Sequence, residues 1–182
     1  MGHTLPFTTL QLLWVNIIMD GPPVLSLGLE PPRDDLMKQK PIVRNASIVT
    51  KSMLSKIVLN GFFIVGALIY LIHTNFLVSS VEEFSTIIFI TFVIFQLWNA
   101  FNYLELTNAS IFKNIHRNKA MLLVIFISFL IQISVTQYGG SVFKTVHLSL
   151  DLWLRIIAYS FSIIIFSEFV SLLKYSIKSS KQ

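Results

Sequence analysis

Leu5 to Leu29, LPFTTLQLLWVNIIMDGPPVLSLGL, is an apolar run that carries Asn16 and Asp20 and is then interrupted by Gly21, Pro22 and Pro23. It is long enough to cross a bilayer. A carboxylate inside such a run costs at least about 2.5–3.5 kcal/mol in hydrocarbon, so it faces a partner, a water-filled cavity or an ion. On a helix the i, i+4 spacing puts the Asn16 amide oxygen and the Asp20 carboxylate on one face. Both are hard oxygen ligands. Pro22 and Pro23 have no N–H to return to the carbonyls of Ile18 and Met19, so the helix is predicted to unwind there and leave backbone oxygens free. Broken helices with stray carbonyls beside a carboxylate are how membrane proteins build cation sites near mid-bilayer.

The composition agrees with a membrane chain. Of 182 residues, 54% are hydrophobic, 16 are Phe and only 13% are charged, about half the charged fraction of soluble domains; the mean hydropathy is +0.71. With no cysteine, neither a disulfide framework nor a thiolate metal site is available. The formal charge of +5 does not point to nucleic acid, because the basic residues are spread through short loops between apolar runs. Charge placed that way sets topology.

Five spans are predicted, at about 7–29, 53–72, 84–104, 120–138 and 148–173, with a polar segment at 30–52 and a Gly139-Gly140 turn before the last span. Arg33, Lys38, Lys40, Arg44, Lys51 and Lys56, then Lys113, Arg117 and Lys119, then Lys174, Lys178 and Lys181 all fall on one side. The other side has Lys144 and Arg155, with Glu82, Glu83 and Asp151. The rule that cytoplasmic loops are positive makes the first side cytoplasmic and segment 30–52 a cytoplasmic loop. The expectation is an all-α, multi-pass integral membrane protein with its N-terminus outside and its C-terminus cytoplasmic. An outside N-terminus without a basic leader or a small-residue cleavage site is not a signal peptide; it reads as a chain whose earlier half lies elsewhere.

The residues themselves resemble a family. Gln11 to Pro32, QLLWVNIIMDGPPVLSLGLEPP, closely resembles the sixth membrane helix, and the start of the cytoplasmic loop after it, of P-type calcium-transporting ATPases. Asp34 to Met37 and Pro41 are similar to that family's loop, Gln96 to Asn102 (QLWNAFN) to its eighth helix, and Gln137 to Gly140 (QYGG) to the outer loop before its tenth. The resemblance covers nearly the whole chain and implies the sixth to tenth helices of such a pump.

Carried over residue by residue, it implies that Asn16 and Asp20 are calcium ligands, with the backbone of Ile18 and Met19 and the side chain of Gln96 near the site. Two-ion pumps have a hydroxyl residue just before that aspartate and a carboxylate in the eighth helix; here those positions hold Met19, a poor partner for a hard cation, and uncharged Gln96. Single-ion pumps of the plasma-membrane and secretory-pathway types share that pattern. Met19 to Pro23 is closest to the secretory-pathway type, which also moves manganese, whereas Gln96 with Asn99 and Asn102 is closer to the plasma-membrane type. Subtype and host membrane, plasma membrane or endomembrane, stay open.

The resemblance also implies partners. The family's Asp-Lys-Thr-Gly phosphorylation motif, its nucleotide-binding and actuator domains and its fourth-helix glutamate are not in this sequence, so ATP and magnesium are used only in a complete pump. The partners implied are the remainder of the ATPase, meaning its first five helices and cytoplasmic domains, and the bilayer. No P-loop, H-E-x-x-H or G-x-S-x-G motif indicates another activity. Two other readings compete: a non-catalytic helix bundle that modulates an intact pump, and an unrelated carrier using Asp20 as a proton or cation site.

The remaining polar residues have plainer roles. Gln96, Asn99 and Asn102 read equally as near-site packing or as a polar seam between helices. His73, His116 and His147 fall near span ends, as interfacial residues do. Asp151 and Arg155 are spaced to pair with each other, Glu168 lies within reach of Lys174, and Trp14, Trp98 and Trp153 read as core or belt aromatics.

Overall fold

A computed structural model describes residues 7–28, 50–77, 80–104 and 119–179. Asp34 to Met37, Pro41, His116 and most of the anticipated loop 30–52 lie outside the described residues. The rest is helical, with no strand among the described residues. In chain order come α1 (Thr9–Trp14), a π-helical segment (Val15–Asp20), α2 (Gly21–Gly28), α3 (Lys51–Thr74), α4 (Val81–Leu104), α5 (Lys119–Tyr138), a one-turn α6 (Gly140–Phe143) and α7 (Leu150–Ser179).

Local chemistry starts and stops these helices. Thr8 and Gln11 form a reciprocal cap: Thr8 Oγ1 accepts from Gln11 N at 3.2 Å, and Gln11 Oε1 accepts from Thr8 N at 2.8 Å. Thr50 and Ser80 cap α3 and α4, accepting from Met53 N at 3.2 Å and Glu83 N at 3.3 Å. α3 ends where Asn75 turns left-handed at φ 52°, a conformation asparagine tolerates. The last helix starts at Leu150 rather than Leu148, because Ser149 Oγ accepts from Leu152 N at 3.3 Å and caps it. Gly139 is needed where α5 turns into α6: a Cβ there would lie 2.5 Å from the Val135 carbonyl oxygen and 3.0 Å from the Phe143 ring.

Four helices are long and apolar enough to cross a membrane, over Met53–Thr74, Glu82–Asn102, Lys119–Tyr138 and Leu150–Leu173. They match the last four anticipated spans within a few residues. The first anticipated span, 7–29, is not one α-helix but the succession α1, π segment, α2. α4 is the central element: about two thirds of its apolar stretch is buried, against about a quarter for the other three. It packs on α7 most extensively, and also on α3, α5 and the π segment.

The packing differs from a soluble protein's: the core is apolar, with Ile87, Phe89 and Phe95 fully buried, but the outside is largely apolar too. Large apolar side chains such as Phe62, Leu25 and Leu150 point outward, while Thr86, Thr91, Ser128, Gln132, Thr136 and Ser160 are buried. In lipid, burying a leucine gains little over leaving it in acyl chains, so polar side chains share the helix contacts with the apolar core. The protein is thus an integral, multi-pass membrane protein.

Candidate cation site

The π segment holds Asn16 and Asp20, both with exposed side chains. Where unwinding is anticipated at Gly21–Pro23, the chain stays helical and changes type instead. π-helical bonds run from i to i+5, so the turn is wider than in an α-helix. Pro22 and Pro23 follow directly on the π segment as the second and third residues of α2, and having no N–H they leave carbonyls of the preceding turn without a helical partner. Gly21 keeps helical angles, φ −59° and ψ −64°, and a Cβ there would meet only the Asn16 carbonyl oxygen at 4.0 Å. Pro23 is buried, and its carbonyl accepts from Ser26 Oγ at 2.7 Å.

Asn16 and Asp20 are therefore together, one turn apart on a helix that departs from regular α geometry, as sites of function often do. Val15, between them and α1, is buried in the main core with Val93 and Leu97 of α4, so the segment rests on α4 on one side and is open on the other. Asp20 makes no ion pair with a described residue. Among the described residues no group of three or more His, Cys, Asp or Glu could hold a metal by itself.

Gln96 lies half-buried on α4, the helix under the π segment, with no hydrogen bond joining it to Asn16 or Asp20 among the described residues. Its neighbours are occupied otherwise. Asn99 Oδ1 accepts from Asn60 Nδ2 at 2.9 Å and from Asn102 Nδ2 at 3.1 Å, all three residues being buried. Asn99 and Asn102 are thus a seam between α3 and α4. The Asp151–Arg155 pair forms, at 2.9 Å, with both side chains well exposed. His73 and His147 sit exposed at the end of α3 and in the loop before α7. Trp153 is buried in the core.

Trp14 does more than fill space. Its indole Nε1 donates to Gln132 Oε1 of α5 at 2.9 Å, and its ring stands edge-on to Phe143, centroids 5.2 Å apart. Sequence reasoning missed Asn60 and Gln132. Each is an amide inside an apolar run, the same signal that singles out Asn16.

The family model described as cation transporting ATPase, C-terminus, matches residues 4–173. Plasma membrane calcium-transporting ATPase 2 of Oreochromis mossambicus is 34% identical over 162 residues, 82% of this chain. Calcium-transporting ATPase 12, plasma membrane-type, of Arabidopsis thaliana is 32% identical over 170 residues, 91% of the chain. The human plasma membrane calcium-transporting ATPase 4 is 30% identical over 179 residues, again 91%. The chain spans only about 14–16% of the length of these relatives. A match over nearly all of a chain built from apolar helices makes this protein a member of the cation-transporting ATPase family, corresponding to its C-terminal membrane region.

Proposed function

We propose that the chain serves as the C-terminal membrane part of a P-type pump that moves calcium, with Asn16 and Asp20 as side-chain ligands. The observation that carries the reading is the open face of the π segment. On a chain whose outer surface is rich in large apolar side chains, an amide and a carboxylate are exposed there together. Calcium takes six to eight oxygens at about 2.3–2.6 Å. One amide oxygen and two carboxylate oxygens supply at most three. Carbonyls near Ile18 and Met19 add backbone oxygens, and the rest come from the first five helices of the pump, packed over this face. ATP and magnesium act in its cytoplasmic domains.

One carboxylate also sets the charge balance. It offsets half the charge of one dication, so a second carboxylate has to come from elsewhere in the pump even for a single ion. Gln96, neutral on α4, gives no charge toward another. The reading is therefore one ion per cycle. On this reading Thr9–Gly28 is the chain's first crossing and the pump's sixth, entered from outside, and segment 30–52 is cytoplasmic. The plasma membrane-type relatives favour that membrane. The same oxygen set suits manganese.

The test places this segment in a complete pump of the family. Asp20→Asn keeps the shape and removes the charge that dehydrates a hard dication, so calcium-dependent phosphorylation from ATP is expected to disappear. Phosphorylation from inorganic phosphate, which needs an empty ion site, is expected to persist. Calcium affinity within about twofold of the parent, where tenfold is only about 1.4 kcal/mol, would exclude Asp20 as a ligand. The same assay with manganese in place of calcium reads whether that ion is carried.

A further inference from the structure

The turn that precedes the π segment is held from two sides. Gln11, fully buried, donates through Nε2 to the Phe143 carbonyl of α6 at 2.9 Å. One turn later Trp14 donates its indole N–H to Gln132 Oε1 at 2.9 Å and meets the Phe143 ring with its edge. Gln132 is itself fully buried. Its Nε2 donates to Thr136 Oγ1 at 3.3 Å, and Thr136 Oγ1 donates back to the Gln132 carbonyl at 2.9 Å. The acceptor oxygen offered to Trp14 is thus fixed in direction by its own helix.

Trp14 is the last residue of α1; the π segment begins at Val15, and Asn16 is the next residue. A helix pinned by one aromatic side chain cannot turn about its own axis without breaking that contact. A π segment stores one residue more per turn than the α form, and relaxing it would rotate the downstream residues by about 100°, the angle of one α-helical residue. The direction in which Asn16 and Asp20 leave the helix therefore depends on what holds Trp14. We infer that Gln132 of α5 and Trp14 are positioning residues for the cation site, setting through one part-buried indole hydrogen bond the rotation at which Asn16 and Asp20 face the ion. This rests on the reading of Asn16 and Asp20 as ligands.

The experiment uses the complete pump carrying this segment, with Trp14→Phe, which keeps a ring and loses the donor, Gln132→Met, which keeps an unbranched chain and loses the acceptor, and the double variant. Apparent calcium affinity is read from phosphorylation by ATP, and phosphorylation by inorganic phosphate is read in parallel. Each single variant is expected to lower apparent calcium affinity about three- to tenfold, with the level reached at saturating calcium and phosphorylation by inorganic phosphate unchanged. The double variant is expected to be no weaker than the weaker single, since both remove the same bond. Affinities within twofold of the parent in both single variants, while Asp20→Asn abolishes the calcium response, overturn the positioning role and leave the ligand reading standing. Additive losses in the double variant overturn it too, as does a parallel fall in phosphorylation by inorganic phosphate, which marks general damage to the fold. Failure of Asp20→Asn to affect calcium removes both readings. Should the variants not accumulate, the parent chain in micelles decides: the Trp14 indole proton is expected to exchange slowly with solvent, and rapid exchange overturns the inference.

Discussion

Replacing Asn99 with alanine removes the oxygen that two buried amides share. Asn60 reaches it from α3 at 2.9 Å and Asn102 from its own helix at 3.1 Å, and the side chains of Asn60, Asn99 and Asn102 are 3%, 8% and 1% exposed. Asn102 Oδ1 is a buried oxygen without a partner, a spare acceptor to which a freed amide can turn, and this limits the loss. Interhelical side-chain hydrogen bonds in membranes are worth about 0.6 kcal/mol on average and about 1.7 at most. The Asn60 bond is of that kind and the Asn102 bond, within α4, is worth about 0.5–1.5 kcal/mol, so together they set the expected loss at about 1–3 kcal/mol. The assay is reversible unfolding of the chain in mild-detergent micelles titrated with a denaturing detergent, monitored by circular dichroism. Asn60→Ala and the double variant complete a cycle that isolates the interhelical bond, with an expected coupling of about 0.6–1.7 kcal/mol. A loss below about 0.5 kcal/mol for Asn99→Ala, or additive effects in the cycle, would show that the amides are packed side by side without holding α3 to α4.

Gly139→Ala is expected to cost about 1–3 kcal/mol in the same unfolding assay, because its Cβ would lie 2.5 Å from the Val135 carbonyl oxygen, which already bonds Gly139 N at 2.8 Å. Gly21→Ala, whose Cβ meets only the Asn16 carbonyl oxygen at 4.0 Å, is expected to leave stability unchanged or slightly raised. Asp151→Asn breaks an exposed i, i+4 pair and is expected to shift the midpoint by no more than about 0.5 kcal/mol. The orientation is read by glycosylation in microsomes. The natural sequons at Asn45 and Asn108 are expected to stay unmodified and a sequon introduced near Ser79 to be modified; modification of Asn45 would invert the topology.

Much of the helical frame was legible in the chain because the cost of leaving hydrocarbon adds up locally, residue by residue. Spans anticipated at 53–72, 84–104 and 120–138 are helices Lys51–Thr74, Val81–Leu104 and Lys119–Tyr138, their ends moved outward by caps such as Thr50 and Ser80. The Asn16–Asp20 pair was legible for the same reason: a carboxylate in an apolar run is costly wherever it sits, and no fold is needed to see it. Which seam the other amides join was not. In hydrocarbon any buried amide satisfies any other, so whether Asn99 serves an ion or a neighbouring helix depends on Asn60, brought beside it from 39 residues away. Trp14 and Gln132, 118 residues apart, pair only because the Thr9–Gly28 segment packs on α5. The two prolines show the division most directly. By themselves they forbid a regular α ladder, and that much is written in their missing N–H groups. That the chain answers with a π turn resting on α4, rather than by unwinding, is a choice between backbone arrangements of similar energy, and the packing of Val15, Pro23 and Trp14 decides it.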